Sequence, residues 1–409
     1  MPFRNITLLR VANWIESNCP LRCTSDSLKN SSSKHSVNFQ RNSTREMAMT
    51  PRLFYFVLCA VFCGQLRSQD SPYSTAGPHK VVVVASVALK DDTRGRTIET
   101  LVRYPSGPGS FPVIVFSHGS LSNKETFGPA SEHWASHGYV VIHPNHADAR
   151  SGAGGIGRNR FGGEQESGGT DEGKPNRTNS DKQANRRGAG LAIGGFGSAT
   201  GNTGRVERIK DITSVLDALD QVEIQIPALK GRLNRDAIAV AGHSFGAYVA
   251  QCHGGVKTLV DGKLENLSDP RVKCVVPTSA QGESQSYGLT AESWTDASTP
   301  AMHITGTRDR SAPDRPGGQF GDVSTKVVPF ERSPQGGKYL LIIEGATHVS
   351  FGGRMGRLRG GADAAGLTKS VSLAFLEAYL KQDVEAKAWI DGQASATWLG
   401  SQAKLQRKL

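Results

Sequence analysis

The chain has 409 residues, 37% of them hydrophobic and 21% charged, which excludes a disordered polymer and allows one large domain or two ordinary ones. Its formal charge of +11 points to a nucleic-acid partner until it is divided. Residues 1–69 hold nine Lys/Arg against three Asp/Glu, so +6 lies there, and the other 39 basic and 34 acidic groups leave only +5. No Lys/Arg run is interleaved with aromatics, so no nucleic-acid groove is expected.

In chain order, the first feature is Leu53–Gly64, an apolar run of 12 residues just after Arg52. It is short for a bilayer span and suits the apolar core of a secretory signal, with an uncleaved anchor as the alternative. Met47 and Met49 precede it, so residues 1–46 read as a non-native or disordered extension, 47–69 as a signal peptide, and the protein as secreted or periplasmic. No membrane span is expected after signal removal. Four of the six cysteines fall in this lost portion; Cys252 and Cys274 remain, either as one disulfide or as two small buried hydrophobes.

From residue 77 short β-rich runs alternate with helical patterns, which predicts a mostly parallel sheet of about eight strands with helices on its faces, in a domain over 77–385. Lys80–Leu89 and Ile98–Tyr104 read as an antiparallel edge pair around the polar turn Asp91–Gly95. Val113–Ser117 is a buried strand, Pro129–His137 a helix and Tyr139–His143 the next strand. Residues 150–205, rich in Gly, Asn, Arg and Ser, form an insertion that either walls the site or runs over the surface. Its Asp171, Glu172 and Asp181 have no calcium-loop spacing. Val206–Val222 is one helix, in which Arg208 and Asp211 form an ion pair. Strand Ala237–Ala241, helix Ala247–Gly254, strands Val272–Thr278, Ala301–Thr305 and Tyr339–Ile343, and helix Thr368–Leu380 follow. The tail 386–409 either packs on the domain or hangs free.

The chemistry centres on Gly242-His243-Ser244-Phe245-Gly246. The pattern is weak alone, but here it joins a short apolar strand directly to a helix. That turn strains the Ser backbone and presents its hydroxyl at the sheet's C-terminal edge. A Ser hydroxyl needs a base to take its proton, and the base needs an orienting carboxylate; in this arrangement they follow in the order Ser, acid, His. Asp309 and His348 each stand just past a predicted strand, with Asp314 and Asp296 as rivals for the acid. His118-Gly119-Ser120 after Val113–Ser117 supplies an oxyanion loop, so the donors are the backbone amides of Ser120 and Phe245, and His118 braces the loop.

The segments VIVFSHG (113–119), HWASHGYVVIHPNH (133–146), RIKDITSVLDAL (208–219), AVAGHSFGAY (239–248), GTRDRSAP (306–313) and GATHVSFGG (345–353) resemble the α/β-hydrolases grouped with platelet-activating-factor acetylhydrolase and predicted dienelactone hydrolases. More distantly they resemble cutinase-like polyester hydrolases. The resemblance covers roughly 80–385 and implies an α/β-hydrolase fold with Ser244, Asp309 and His348 as the triad. True dienelactone hydrolases carry a Cys nucleophile where this chain has Ser, which argues against that literal activity.

The expected reaction is hydrolysis of a carboxylic ester, small-molecule or polymeric, through an acyl-enzyme, with water as second substrate and neither metal nor organic cofactor. The rivals are an acyltransferase or peptidase on the same scaffold, or an inactive binding protein that keeps the fold.

Overall fold

The computed structural model describes residues 71–149, 201–310, 323–353 and 363–409. The expected N-terminal extension and signal peptide, residues 150–200 of the insertion with Asp171, Glu172 and Asp181, and Asp314 lie outside them. Val81–Asp91 (β1) and Arg96–Pro105 (β2) form the antiparallel edge pair, with a bulge between Val84 and Val87. Phe111–Ser117 (β3), helix Gly128–Ser136 (α1) and Val140–Pro144 (β4) follow. Helices Asn202–Asp217 (α2) and Leu219–Gln225 (α3) lead to Leu233–His243 (β5), helix Phe245–His253 (α4) and the hairpin Thr258–Val260 (β6) with Lys263–Glu265 (β7). Val272–Thr278 (β8), Ala301–Arg308 (β9), helix Val328–Arg332 (α5), Lys338–Thr347 (β10) and helix Ala364–Leu380 (α6) complete the expected core. Val384–Asp391 (α7), Gln393–Leu399 (α8) and Ala403–Lys408 (β11) end the chain.

The main sheet has nine strands in the order β1-β2-β4-β3-β5-β8-β9-β10-β11. The pairings from β4 through β10 are parallel, and those at both margins antiparallel. Its ninth strand comes from the tail, which therefore packs on the domain, and the sheet runs past residue 385.

Every residue of β3 is buried, and the two-residue period of a strand divides them. Val113 and Val115 join one hydrophobic cluster with Ile209, Ile212 and Val215 of α2 and Tyr248 and Val249 of α4. Ile114 and Phe116 join the other, with Trp134 of α1 and Val371 and Phe375 of α6. The sheet is thus covered on both faces, as its apolar runs require. Cys252 and Cys274 are buried free thiols in different clusters, one on each face of the sheet, so the hydrophobic reading holds and the disulfide does not.

One expected helix is two. The chain leaves helical geometry at Ala218 (φ −96°, ψ 17°), and α3 turns to the sheet edge. There Gln221 accepts from the Lys90 amide at 2.8 Å and donates to its carbonyl at 2.9 Å, and Gln225 treats Ala88 the same way. The two side-chain amides stand in for a further strand, satisfying backbone groups that an open edge leaves free. Among the described residues no helix is long and apolar enough to cross a membrane.

Candidate active site

From β3 the chain turns to β4, while from β5 it continues to β8 on the opposite side. The C-terminal ends of β3 and β5 therefore diverge at a topological switch point, where open α/β sheets form their ligand crevice. Both the His118–Ser120 loop and Ser244 stand there.

Ser244 links β5 to α4 with φ 56° and ψ −117°, a left-handed conformation that costs a non-glycine residue roughly 1–3 kcal/mol. The flanking glycines are needed for space. A Cβ at Gly242 would lie 2.2 Å from the Gly246 carbonyl oxygen, and one at Gly246 only 1.9 Å from that of Ser117. The elbow is thereby pressed against the end of β3, where the His118–Ser120 loop begins.

His348 follows β10 and Asp309 follows β9. His348 Nε2 is 3.0 Å from Ser244 Oγ, and its Nδ1 is 3.0 Å from Asp309 Oδ1. Asp309 is fully buried and also accepts from the hydroxyls of Ser279 and Thr305, each at 2.9 Å. Burial pushes its pKa up, but the His348 hydrogen bond, the Lys326 charge and the Ser279 hydroxyl outweigh this and bring it down to about 2. A carboxylate can only accept, so it draws the proton to Nδ1 of His348 and leaves Nε2 as the acceptor facing Ser244. The rival Asp296 is exposed and pairs with Lys257 instead.

Three groups at this centre escape a reading of the sequence. Ser279 follows β8, holds φ 56°, and sets its Oγ 2.8 Å from His348 Nδ1 as well as against Asp309. Lys326 donates to the Ser279 carbonyl at 3.4 Å. His243 donates from Nε2 to the His348 carbonyl at 2.8 Å, holding the backbone of that loop. Its enclosure among the rings of Phe127, His348 and Phe351 strips it of water and brings its pKa down to about 3, so it is neutral. Ser279 just past β8 and His243 at the end of β5 carry no signal beyond their place at a strand end, and Lys326 carries none.

Phe245 directly follows Ser244 and Ser120 directly follows Gly119, and neither amide has a protein acceptor among the described residues. Gly119 lies close enough that a Cβ there would be 3.5 Å from Ser244 Cβ. Arg208 and Asp211 do not pair with each other. Arg208 binds Asp148, whereas Asp211 binds Arg94, Arg96 and His146. Among the described residues no group of three His, Cys, Asp or Glu could hold a metal ion.

Residues 102–261 match the family model described as platelet-activating factor acetylhydrolase, isoform II. The chain has the α/β-hydrolase fold. The matched span runs from β2 to β6 and takes in the His118–Ser120 loop and the Ser244 elbow; Asp309 and His348 lie beyond it. Over that span the α/β-hydrolase chain is similar to a family of ester hydrolases. A comparison with curated proteins found no match.

Proposed function

We propose that the protein is a serine hydrolase that cleaves carboxylic esters through an acyl-enzyme. The observation that carries this is His348, bridging Ser244 Oγ and Asp309 at 3.0 Å on each side, with the serine on a strained elbow. Ser244 attacks the ester carbonyl as His348 Nε2 takes its proton; the same imidazole then protonates the leaving alcohol. Asp309, ionised at neutral pH, holds the imidazole in its productive tautomer and stabilises the imidazolium that forms. The Ser120 and Phe245 amides receive the oxyanion, and water deacylates the enzyme by the same route in reverse.

The name of the matched family directs the first substrate choice to esters with a short acyl group, acetyl above all, on a phospholipid or simpler alcohol. We also read Leu53–Gly64 as an export signal, which N-terminal sequencing of protein recovered outside the cell tests by finding, or not finding, a start near residue 69. The catalytic proposal is tested with a fluorophosphonate probe and peptide mapping. Stoichiometric labelling at Ser244, abolished in Ser244→Ala, is expected because only an activated serine reacts. No labelling of the folded protein, or labelling elsewhere, contradicts the proposal.

A further inference from the structure

The buried polar layer under the oxyanion loop is absorbed by neither the triad nor the hydrophobic clusters. Arg208 of α2 is 3% exposed, and its guanidinium is fully engaged. Nε and Nη2 donate to Asp148 at 3.0, 2.7 and 2.9 Å, and Nη1 donates to the His118 carbonyl at 2.7 Å. Nη2 also reaches the Gly119 carbonyl at 3.4 Å, and the guanidinium carbon lies 4.3 Å over the centre of the Phe245 ring. Asp148 in turn accepts the Leu121 amide at 3.1 Å. Burial works against both charges, but the Arg208 charge wins at Asp148 and holds its carboxyl below the usual range.

The Gly119 carbonyl belongs to the same peptide plane as the Ser120 N–H, and in a trans peptide the two point in opposite directions. Whatever pins that carbonyl therefore aims the oxyanion donor. His118 contributes too: its Nε2 accepts the His146 amide at 3.2 Å, which leaves Nδ1 protonated to donate to the Gly119 carbonyl at 2.7 Å. Burial and the neighbouring Arg208 keep that imidazole neutral by pulling its pKa well below the ordinary value. The 119–120 plane is thus held directly at the Gly119 carbonyl and through its two neighbouring peptides at the His118 carbonyl and the Leu121 amide, while the same guanidinium backs the ring of Phe245, whose amide is the second donor.

We propose that Arg208 and Asp148 are positioning residues that hold both halves of the oxyanion hole in register. The inference rests on the ester-hydrolase reading above. Without the pair, the Gly119 carbonyl keeps its His118 hydrogen bond but the His118 carbonyl and the Leu121 amide on either side lose their anchors, so the Ser120 N–H is no longer held firmly toward the crevice. Arg208 acts through the backbone and touches no reacting atom.

The test uses p-nitrophenyl acetate, rates per active site titrated with the fluorophosphonate, and a trifluoromethyl ketone that forms a tetrahedral anion on the serine. For Arg208→Met, kcat is expected to fall about 10²–10³-fold, the scale of one lost oxyanion donor, with KM within about threefold of wild type and ketone affinity falling in parallel with kcat. Arg208→Lys keeps the charge but loses the planar fork and does not restore the rate. Arg94→Met is the comparison: it disrupts the same buried layer through Asp91 and Asp211 without a contact to residues 118–121 or 245, so it lowers thermal stability while kcat per titrated site stays near wild type. Should Arg208→Met not fold, Asp148→Asn keeps the shape, and a kcat loss of about tenfold or more with unchanged KM is expected from it. Stable Arg208 or Asp148 variants whose titrated sites turn over and bind the ketone like wild type overturn the proposal. An unreactive wild type removes the ester-hydrolase reading itself, and this inference with it.

Discussion

Removing the Ser279 hydroxyl separates a working contact from a structural one. Ser279 donates to Asp309 and stands against His348 Nδ1, while its backbone sits at φ 56°. A hydrogen bond to a charged group contributes about 1.5–3 kcal/mol. Thr305 and His348 still serve Asp309 in its absence, so the carboxylate is not stranded. If that contribution is expressed in the transition state, where the imidazolium leans on Asp309, kcat/KM falls about 10- to 100-fold, since about 1.4 kcal/mol is tenfold in rate. Two variants delete the same hydroxyl with opposite effects on the backbone. Ser279→Ala keeps the left-handed strain, whereas Ser279→Gly relieves about 1 kcal/mol of it. The reasoning predicts equal losses of p-nitrophenyl acetate hydrolysis in both, with Ser279→Gly melting about 2 °C higher than Ser279→Ala. Activity that follows melting temperature across the pair, with Ser279→Gly near wild type, would refute the hydroxyl's role.

Three other outcomes follow from the geometry. Gly246→Ala forces a methyl to within 1.9 Å of the Ser117 carbonyl; the resulting shift of β3 against α4 should cost about 10²-fold in kcat/KM, whereas Gly231→Ala, which meets nothing within 4 Å, should leave turnover unchanged. Stability should fall as pH drops below about 6.5: burial lowers His253 to about 4 and His303 to about 3, so only the unfolded chain binds these protons, and each group removes about 1.4 kcal/mol per pH unit until its folded pKa is reached. His303, whose ring nitrogens have no partner among the described residues, gives the check: His303→Leu should flatten that slope by one group's share in urea unfolding between pH 4 and 6, and an unchanged slope would contradict it. Asp309 is shifted in the same direction, but at lower pH; its contribution is complete above about pH 4 and is lost only as pH falls toward 2. Truncation after Gln402 removes β11 and uncovers the β10 edge from Lys338 to Ile343, so light scattering should show self-association absent from the full chain.

The elements that carry the site were legible because local pattern and tertiary role coincide. Val113–Ser117 and Ala237–Ala241 are apolar runs that only a doubly covered strand accommodates, and Gly242 and Gly246 bracket a serine held in a strained turn. Asp309 and His348 stand out as candidates because each follows such a strand. What escaped depends on distance along the chain. Helical spacing pairs Arg208 with Asp211, three residues away, but its partner is Asp148, 60 residues earlier, which no such spacing reveals. Ser279 is an ordinary serine until β8 and β9 are laid side by side. The strand Ala403–Lys408 buries only Leu405 and so lacks an apolar alternation, and its place is set by pairing with β10. The break at Ala218 carries no Gly or Pro; docking of Gln221 and Gln225 on β1 accompanies it.

The most direct measurement is hydrolysis of p-nitrophenyl esters from acetate to palmitate by the wild type and Ser244→Ala. The account predicts cleavage of the short esters by the wild type and a loss of several orders of magnitude in the variant, leaving only the residual catalysis that binding and the oxyanion hole support. Equal rates in the two proteins, or no hydrolysis of any ester by a folded wild type, would contradict it.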